Sequence, residues 1–199
     1  MSDKLLLQKL GALCGFMVPI VAFGCIGMAI LSFPEFSWIN NALSDLGVVA
    51  GVTGVVFNFG LFVAGLLCFF FAVVGLFNYF KNSAVGKLGS VVFAVAAVCL
   101  MNIGVFNENF WSVHFVFAVL FFVTLPVAFC VLAVVLYLVR EINLAVFTLG
   151  SMVGVAMPWI VYFLMVSTSN VAVPEFISSV VGSIWIAFMS YKLLKPTRL

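Results

Sequence analysis

Charge is what this sequence most lacks. Of its 199 residues only 8 are Lys or Arg and 6 are Asp or Glu, 7% where about 25% is usual. So few charges cannot cover a water-soluble globule of this size, which excludes a soluble globular domain. Disorder is excluded by 24 Phe, 66% apolar residues and a mean hydropathy of +1.38, the reverse of its signature. Histidine occurs once, and a catalytic zinc normally takes three protein ligands with His prominent among them. No CxxC, HExxH, GxSxG or phosphate-binding glycine loop is present, so none of the chemistries those spacings carry is indicated. The five cysteines, Cys14, Cys25, Cys68, Cys99 and Cys130, stand singly in apolar surroundings. They read as small buried hydrophobes.

What is there is a set of long uncharged stretches, at 10–34, 46–80, 88–107, 109–139, 142–174 and 176–191. A helix rises ~1.5 Å per residue against a hydrocarbon core ~30 Å thick, so about 20 residues make one crossing. Each of the first five stretches suffices for one crossing and none comfortably for two. The sixth is short by count, but Pro174 suits a first helical position and lets Glu175 sit in the first turn. Membrane strands would alternate where these stretches are continuously apolar. The expected fold is therefore all-α and polytopic: one transmembrane domain over 1–199, with six helices near 9–33, 46–80, 87–106, 110–139, 142–168 and 173–191.

Six crossings put Lys4, Lys9, Lys81, Lys87, Arg140, Lys192, Lys195 and Arg198 on one side, with Asp3 and Glu141. The other side holds Glu35, Asp45, Glu108 and Glu175 and no cation. By the positive-inside rule this predicts cytoplasmic N- and C-termini in a cell membrane, whereas five or seven helices would break the partition. The first crossing is too long for a signal peptide and lacks a small-x-small cleavage site, so it reads as an anchor that stays. Leu13 before Cys14 argues against lipidation there. The pairs Gly11–Gly15, Gly47–Gly51 and Gly150–Gly154 have the small-xxx-small spacing of close helix packing. Pro19, Pro126 and Pro158 predict local kinks.

Polar side chains inside the crossings are few. No Lys, Arg, Asp or Glu lies mid-crossing, which argues against proton relays, voltage sensors and ion-coupled pumps. Asn58 and Asn102 read first as hydrogen-bonded links between helices, worth roughly 0.6–2 kcal/mol each, and second as ligand-binding groups. The acids concentrate instead in three short loops on the cation-free side, with His114 beside them. Glu35, Ser44 and Asp45 lie in the first loop, Glu108 in the second and Glu175 in the third. Asp45, Glu108 and His114 form the donor set that could hold a divalent metal, while Ser44, Asp45 and His114 are the catalytic candidates. Glu35, Asn58, Asn102, Glu108 and Glu175 are the ligand-binding candidates. The local alternative is that Ser44 or Asn41 caps the second helix, with Asp45 favouring its dipole. His114 would then be a structurally satisfied interface residue.

The runs Asn41-Ala42-Leu43-Ser44-Asp45-Leu46-Gly47 (after Pro34), Phe57-Asn58-Phe59-Gly60-Leu61 and Gly104-Val105-Phe106-Asn107-Glu108 followed by His114-Phe115-Val116-Phe117-Ala118 carry a resemblance. Over helices one to four the chain resembles the six-helix prokaryotic membrane family catalogued as domain of unknown function 998. That family is similar to the Frag1/DRAM/Sfk1 membrane proteins. The resemblance implies a six-helix bundle in which Ser44, Asp45 and His114 face one another on the extracytoplasmic side. It implies no particular reaction.

The function expected first is non-catalytic: binding of a lipid or small ligand, or assembly, through the extracytoplasmic polar patch. A membrane-embedded metal-binding protein or hydrolase using Asp45, Glu108 and His114 comes second, and a small-molecule transporter third. No cofactor is called for by any motif; a divalent metal is the one kind this donor set would take. Membrane lipids are the expected partners, with a second copy or another membrane protein as alternatives. Nucleic acid is not expected, since the few cations are juxtamembrane and suit anionic headgroups.

Overall fold

A computed structural model describes residues 3–166 and 171–195. Arg198 and the last two positions of the expected 142–168 crossing lie outside the described residues. Six helices are long and apolar enough to cross a membrane, and no strand occurs among the described residues. They are α1 (Asp3–Leu31), α2 (Val52–Tyr79), α3 (Ala84–Val105), α4 (Trp111–Leu138), α5 (Ile142–Val161) and α6 (Ala172–Leu194). The chain is thus an all-α, polytopic membrane protein. Helices are the form such apolar runs must take, because lipid offers the backbone no hydrogen-bond partner. The outward faces are apolar to match: Val55, Ile20 and Val146 are all well exposed.

Each helix packs on its neighbours in the chain, and α6 returns to pack on α1, closing a ring. At its centre Trp185 of α6 is fully buried against Phe71, Phe93 and Phe129, with ring centroids 6.4, 5.7 and 4.5 Å away. Its indole N–H donates to Thr148 Oγ1 at 2.9 Å, so the largest buried side chain is also polar-satisfied. At one end of the ring α1 and α6 are tied by Gln8 Nε2 donating to the Leu193 carbonyl at 2.8 Å. Lys192 pairs there with Glu141 at 3.0 Å. Lys9, Lys81, Lys87, Arg140 and Lys195 belong to this end by the antiparallel order of the helices.

The helices depart from the sequence expectations at three places. Of the glycines in the three pairs, only Gly11 sits at a backbone-to-backbone approach, while Gly15 faces the Ser190 and Phe71 side chains and Gly154 the Val181 side chain. A Cβ on Gly11 would strike the Gly75 backbone of α2, at a wide π turn spanning Phe71–Leu76. Gly150 faces open space, and Gly47–Gly51 lies in a connection rather than between helices. Pro19 and Pro126 leave α1 and α4 helical on either side. Only Pro158 is soon followed by a change of winding, a π turn over Tyr162–Val166 that prolongs α5. Finally, Asn102 links no helices: its Nδ2 donates to Val98 O of its own α3 at 2.8 Å.

Candidate functional site

The opposite end of the ring is built by the first connection, which does not simply lead into α2. Ser44–Val48 forms a separate 3-10 turn. Helix α2 starts only after Gly51, whose φ of 87° is a left-handed conformation that glycine adopts without strain. No side chain caps α2, so the capping role expected for Ser44 or Asn41 is not what holds them. Asp45 instead closes its own turn, one carboxylate oxygen accepting from Ala42 N at 3.0 Å and Asn41 Nδ2 at 2.8 Å.

Hydrogen bonds then clamp this turn from three directions. The Gly47 carbonyl accepts from Asn58 Nδ2 of α2 at 2.8 Å and from Asn107 Nδ2 of the second connection at 3.1 Å. Asn58 thus performs the linking role expected of it, though to a loop. The Asn41 carbonyl accepts from Ala172 N at the start of α6 at 3.2 Å. Glu175, one turn into α6, accepts from Leu43 N at 2.7 Å. The first and second connections and the start of α6 are therefore one structure.

That structure gathers most of the expected site residues. The Glu108 carboxyl lies close to the Ser44 hydroxyl, the Asp45 carboxyl and His114. Glu175 adds a third carboxyl beside Glu108 and Asp45. Ser44 and His114 are buried, at 7% and 5% exposure. His114 Nδ1 stands 2.7 Å from the Phe106 carbonyl. A carbonyl only accepts, so Nδ1 carries a proton there.

These groups form one end of a cavity of about 580 Å³. Its remaining wall is apolar and aromatic: Ala118, Val119, Phe122 and Val123 from α4, with Trp159, Tyr162 and Phe163 from α5 and its π turn. Val123 lies nine residues beyond His114, or roughly 13 Å along the helix at 1.5 Å per residue. The volume falls within the ~300–1,000 Å³ of small-molecule sites. A groove between α1 and α6 has nearly the same volume, about 590 Å³, but no acid and no histidine.

Glu35 is exposed and is not part of the cavity wall. Neither Asn58 nor Asn102 reaches the cavity. Among the described residues no three of His, Cys, Asp and Glu are arranged to hold a metal ion. Sequence reasoning missed Asn107 and Trp159. Asn107 was signalled only by its place next to Glu108, and Trp159 only by its place after Pro158 near the end of a crossing.

A family model described as "Protein of unknown function (DUF998)" matches residues 16–191, a range reaching from α1 into α6. No curated protein matches the chain, and no solved structure does.

Proposed function

From the premise that this chain belongs to the DUF998 family of proteins of unknown function, we propose that it binds a membrane amphiphile. The polar head lies against Ser44, Asp45, Glu108, His114 and Glu175, and the chain runs between α4 and α5. The observation that carries this reading is the division of one 580 Å³ cavity into a polar end and an apolar, aromatic remainder. A polar solute would leave the aromatic wall uncovered, and a hydrocarbon would bury the carboxyls without partners. An amphiphile matches both halves. The membrane is the cell membrane, with both termini cytoplasmic and the polar end of the cavity extracytoplasmic; the separation of cations from acids supports that orientation. The short connections leave the bilayer as the direct source of the ligand.

Mono-oleoylglycerol, a small donor-headed amphiphile, provides the test. Titrated into the protein in phosphatidylcholine nanodiscs and followed by native mass spectrometry, it is expected to form a one-to-one complex. Ala118→Trp, which puts an indole into the apolar half, should weaken that complex at least about tenfold with unchanged helical circular dichroism. Equal binding by both proteins, or no saturable binding, overturns the reading.

A hydrolase is the second reading of the same cavity. It is favoured by the Ser44 hydroxyl, which lines the cavity beside Glu108, and by His114, whose ring is oriented by the Phe106 carbonyl as a general base requires. Release of oleate from bound mono-oleoylglycerol, abolished in Ser44→Ala and His114→Ala, would establish it. Recovery of intact lipid supports binding alone.

A further inference from the structure

We infer that the cation-bearing end of the ring selects anionic phospholipids from the leaflet it meets, with Arg140 and Lys81 as the two side chains that carry the selectivity. This surface lies at the opposite end of the ring from the cavity and is independent of what the cavity binds.

Three separate parts of the chain share the surface. Tyr79, two residues before Lys81 in the α2–α3 connection, lies near Glu141 of the α4–α5 connection. Glu141 in turn pairs with Lys192 near the end of α6 at 3.0 Å. A Cβ on Gly75 of α2 would lie 2.9 Å from Leu193 Cδ2 of α6, so those two helices also meet there directly. The surface is formed by the ends of membrane-crossing helices, and what lies against such ends is the headgroup layer of the bilayer. Two lysines are placed as that depth requires. Lys87 Nζ stands 5.6 Å from the Phe77 ring centroid and Lys195 Nζ 4.3 Å from that of Tyr191. Such pairs suit the membrane interface, with the ring toward the hydrocarbon and the ammonium toward the phosphates.

Charge then decides which headgroup is favoured. Lys9, Lys81, Lys87, Arg140, Lys192 and Lys195 stand at this end with a single acid among the described side chains, Glu141, and Lys192 is paired with it. Lys81 and Arg140 are exposed, and among the described residues neither has an acid or an aromatic ring beside it. A phosphatidylcholine headgroup brings its own cation to its phosphate and is neutral as a whole. A phosphatidylglycerol headgroup brings none, so its phosphate is left for the protein, and a guanidinium can meet it with two parallel hydrogen bonds.

Arg140 is singled out by its backbone as well. It follows Val139, the C-cap of α4, and its φ is 65°, the one positive φ of a non-glycine residue among the described residues. Its N–H donates to the Tyr137 carbonyl at 3.0 Å, and the Glu141 N–H donates to the Leu136 carbonyl at 2.9 Å. In this paired closure of a helix, glycine is the unstrained occupant. An arginine thus stands where the backbone alone favours glycine, and a cation is what glycine would not supply.

Native mass spectrometry of the protein released from nanodiscs of equal parts phosphatidylglycerol and phosphatidylcholine tests this. The unaltered protein is expected to carry phosphatidylglycerol over phosphatidylcholine at least about tenfold, and Arg140→Gly and Lys81→Gln should each lower that ratio about fivefold, the value of one cation near an anionic lipid surface. Arg140→Gly separates charge from fold, because it also relaxes the backbone: its thermal unfolding temperature should be unchanged or higher. Lys81→Gln, in an exposed connection, keeps the test decisive whatever the first variant does to folding. A ratio near one for the unaltered protein overturns the inference. A high ratio that Lys81→Gln and a folded Arg140→Gly both leave unchanged overturns it too, since the selecting surface would then lie elsewhere.

Discussion

The doubly held Gly47 carbonyl yields a prediction about coupling rather than about either donor alone. Asn58→Ala removes a 2.8 Å hydrogen bond, but Asn107 still satisfies the carbonyl. The same change removes the buried, unpartnered Asn58 Oδ1, which offsets part of the loss. The expected cost is about 0.5–1 kcal/mol, in line with measured hydrogen bonds between membrane helices. Asn107→Ala removes a 3.1 Å bond to the same carbonyl and the acceptor for Asn109 N at 3.2 Å, so about 1–1.5 kcal/mol is expected. In the double variant the carbonyl of buried Gly47 loses both side-chain donors, and an orphaned buried acceptor costs about 1–3 kcal/mol. The double variant should therefore be less stable than the sum of the singles by about 1–2 kcal/mol. Thermal unfolding in detergent reads this as an extra loss of roughly 2–8 °C, at about 2–4 °C per kcal/mol for a chain of this size. Additivity within about 0.3 kcal/mol would refute the claim that these two asparagines share the clamp that positions Ser44 and Asp45.

Other expectations test separate parts of the account. His114→Ala should insert and fold, lose about 1–2 kcal/mol because the Phe106 carbonyl is left without its partner, and bind mono-oleoylglycerol at least about tenfold more weakly; loss of expression would make His114 a packing residue. Gly11→Ala should cost about 1–3 kcal/mol by forcing α1 off the Gly75 backbone, whereas Gly150→Ala, facing open space, should change thermal stability by less than about 0.5 kcal/mol. Cysteines introduced at Ile39 and Asn82, which lie at opposite ends of the ring, should react differently with a membrane-impermeant maleimide on intact cells. Labelling at Ile39→Cys but not Asn82→Cys is expected, and the reverse pattern would invert the proposed orientation.

The six crossings were legible because charge is so scarce that each charged residue marks the end of an apolar run. Where the runs begin was less legible. The apolar stretch from Leu46 onward looks continuous, yet Gly51 takes a left-handed conformation that separates the Ser44–Val48 turn from α2. The meeting of Ser44, Asp45, Glu108 and His114 was legible from topology, because six antiparallel helices put the loops of one side together; the family resemblance implied further that Ser44, Asp45 and His114 face one another. The local capping alternative misled because a Ser-Asp pair before an apolar run is also how a helix start looks. The apolar half of the cavity left no trace in the sequence. Phe122, Trp159 and Phe163 are aromatics among many, and only packing shows that they wall a cavity rather than fill a core.

The central claim is that the cavity holds an amphiphile, and native mass spectrometry of the protein extracted gently from its own membrane tests it most directly. The account predicts a retained lipid at up to one per chain that is absent from the Ala118→Trp variant. A clean apo mass, or a stoichiometric metal that disappears in His114→Ala, would contradict it.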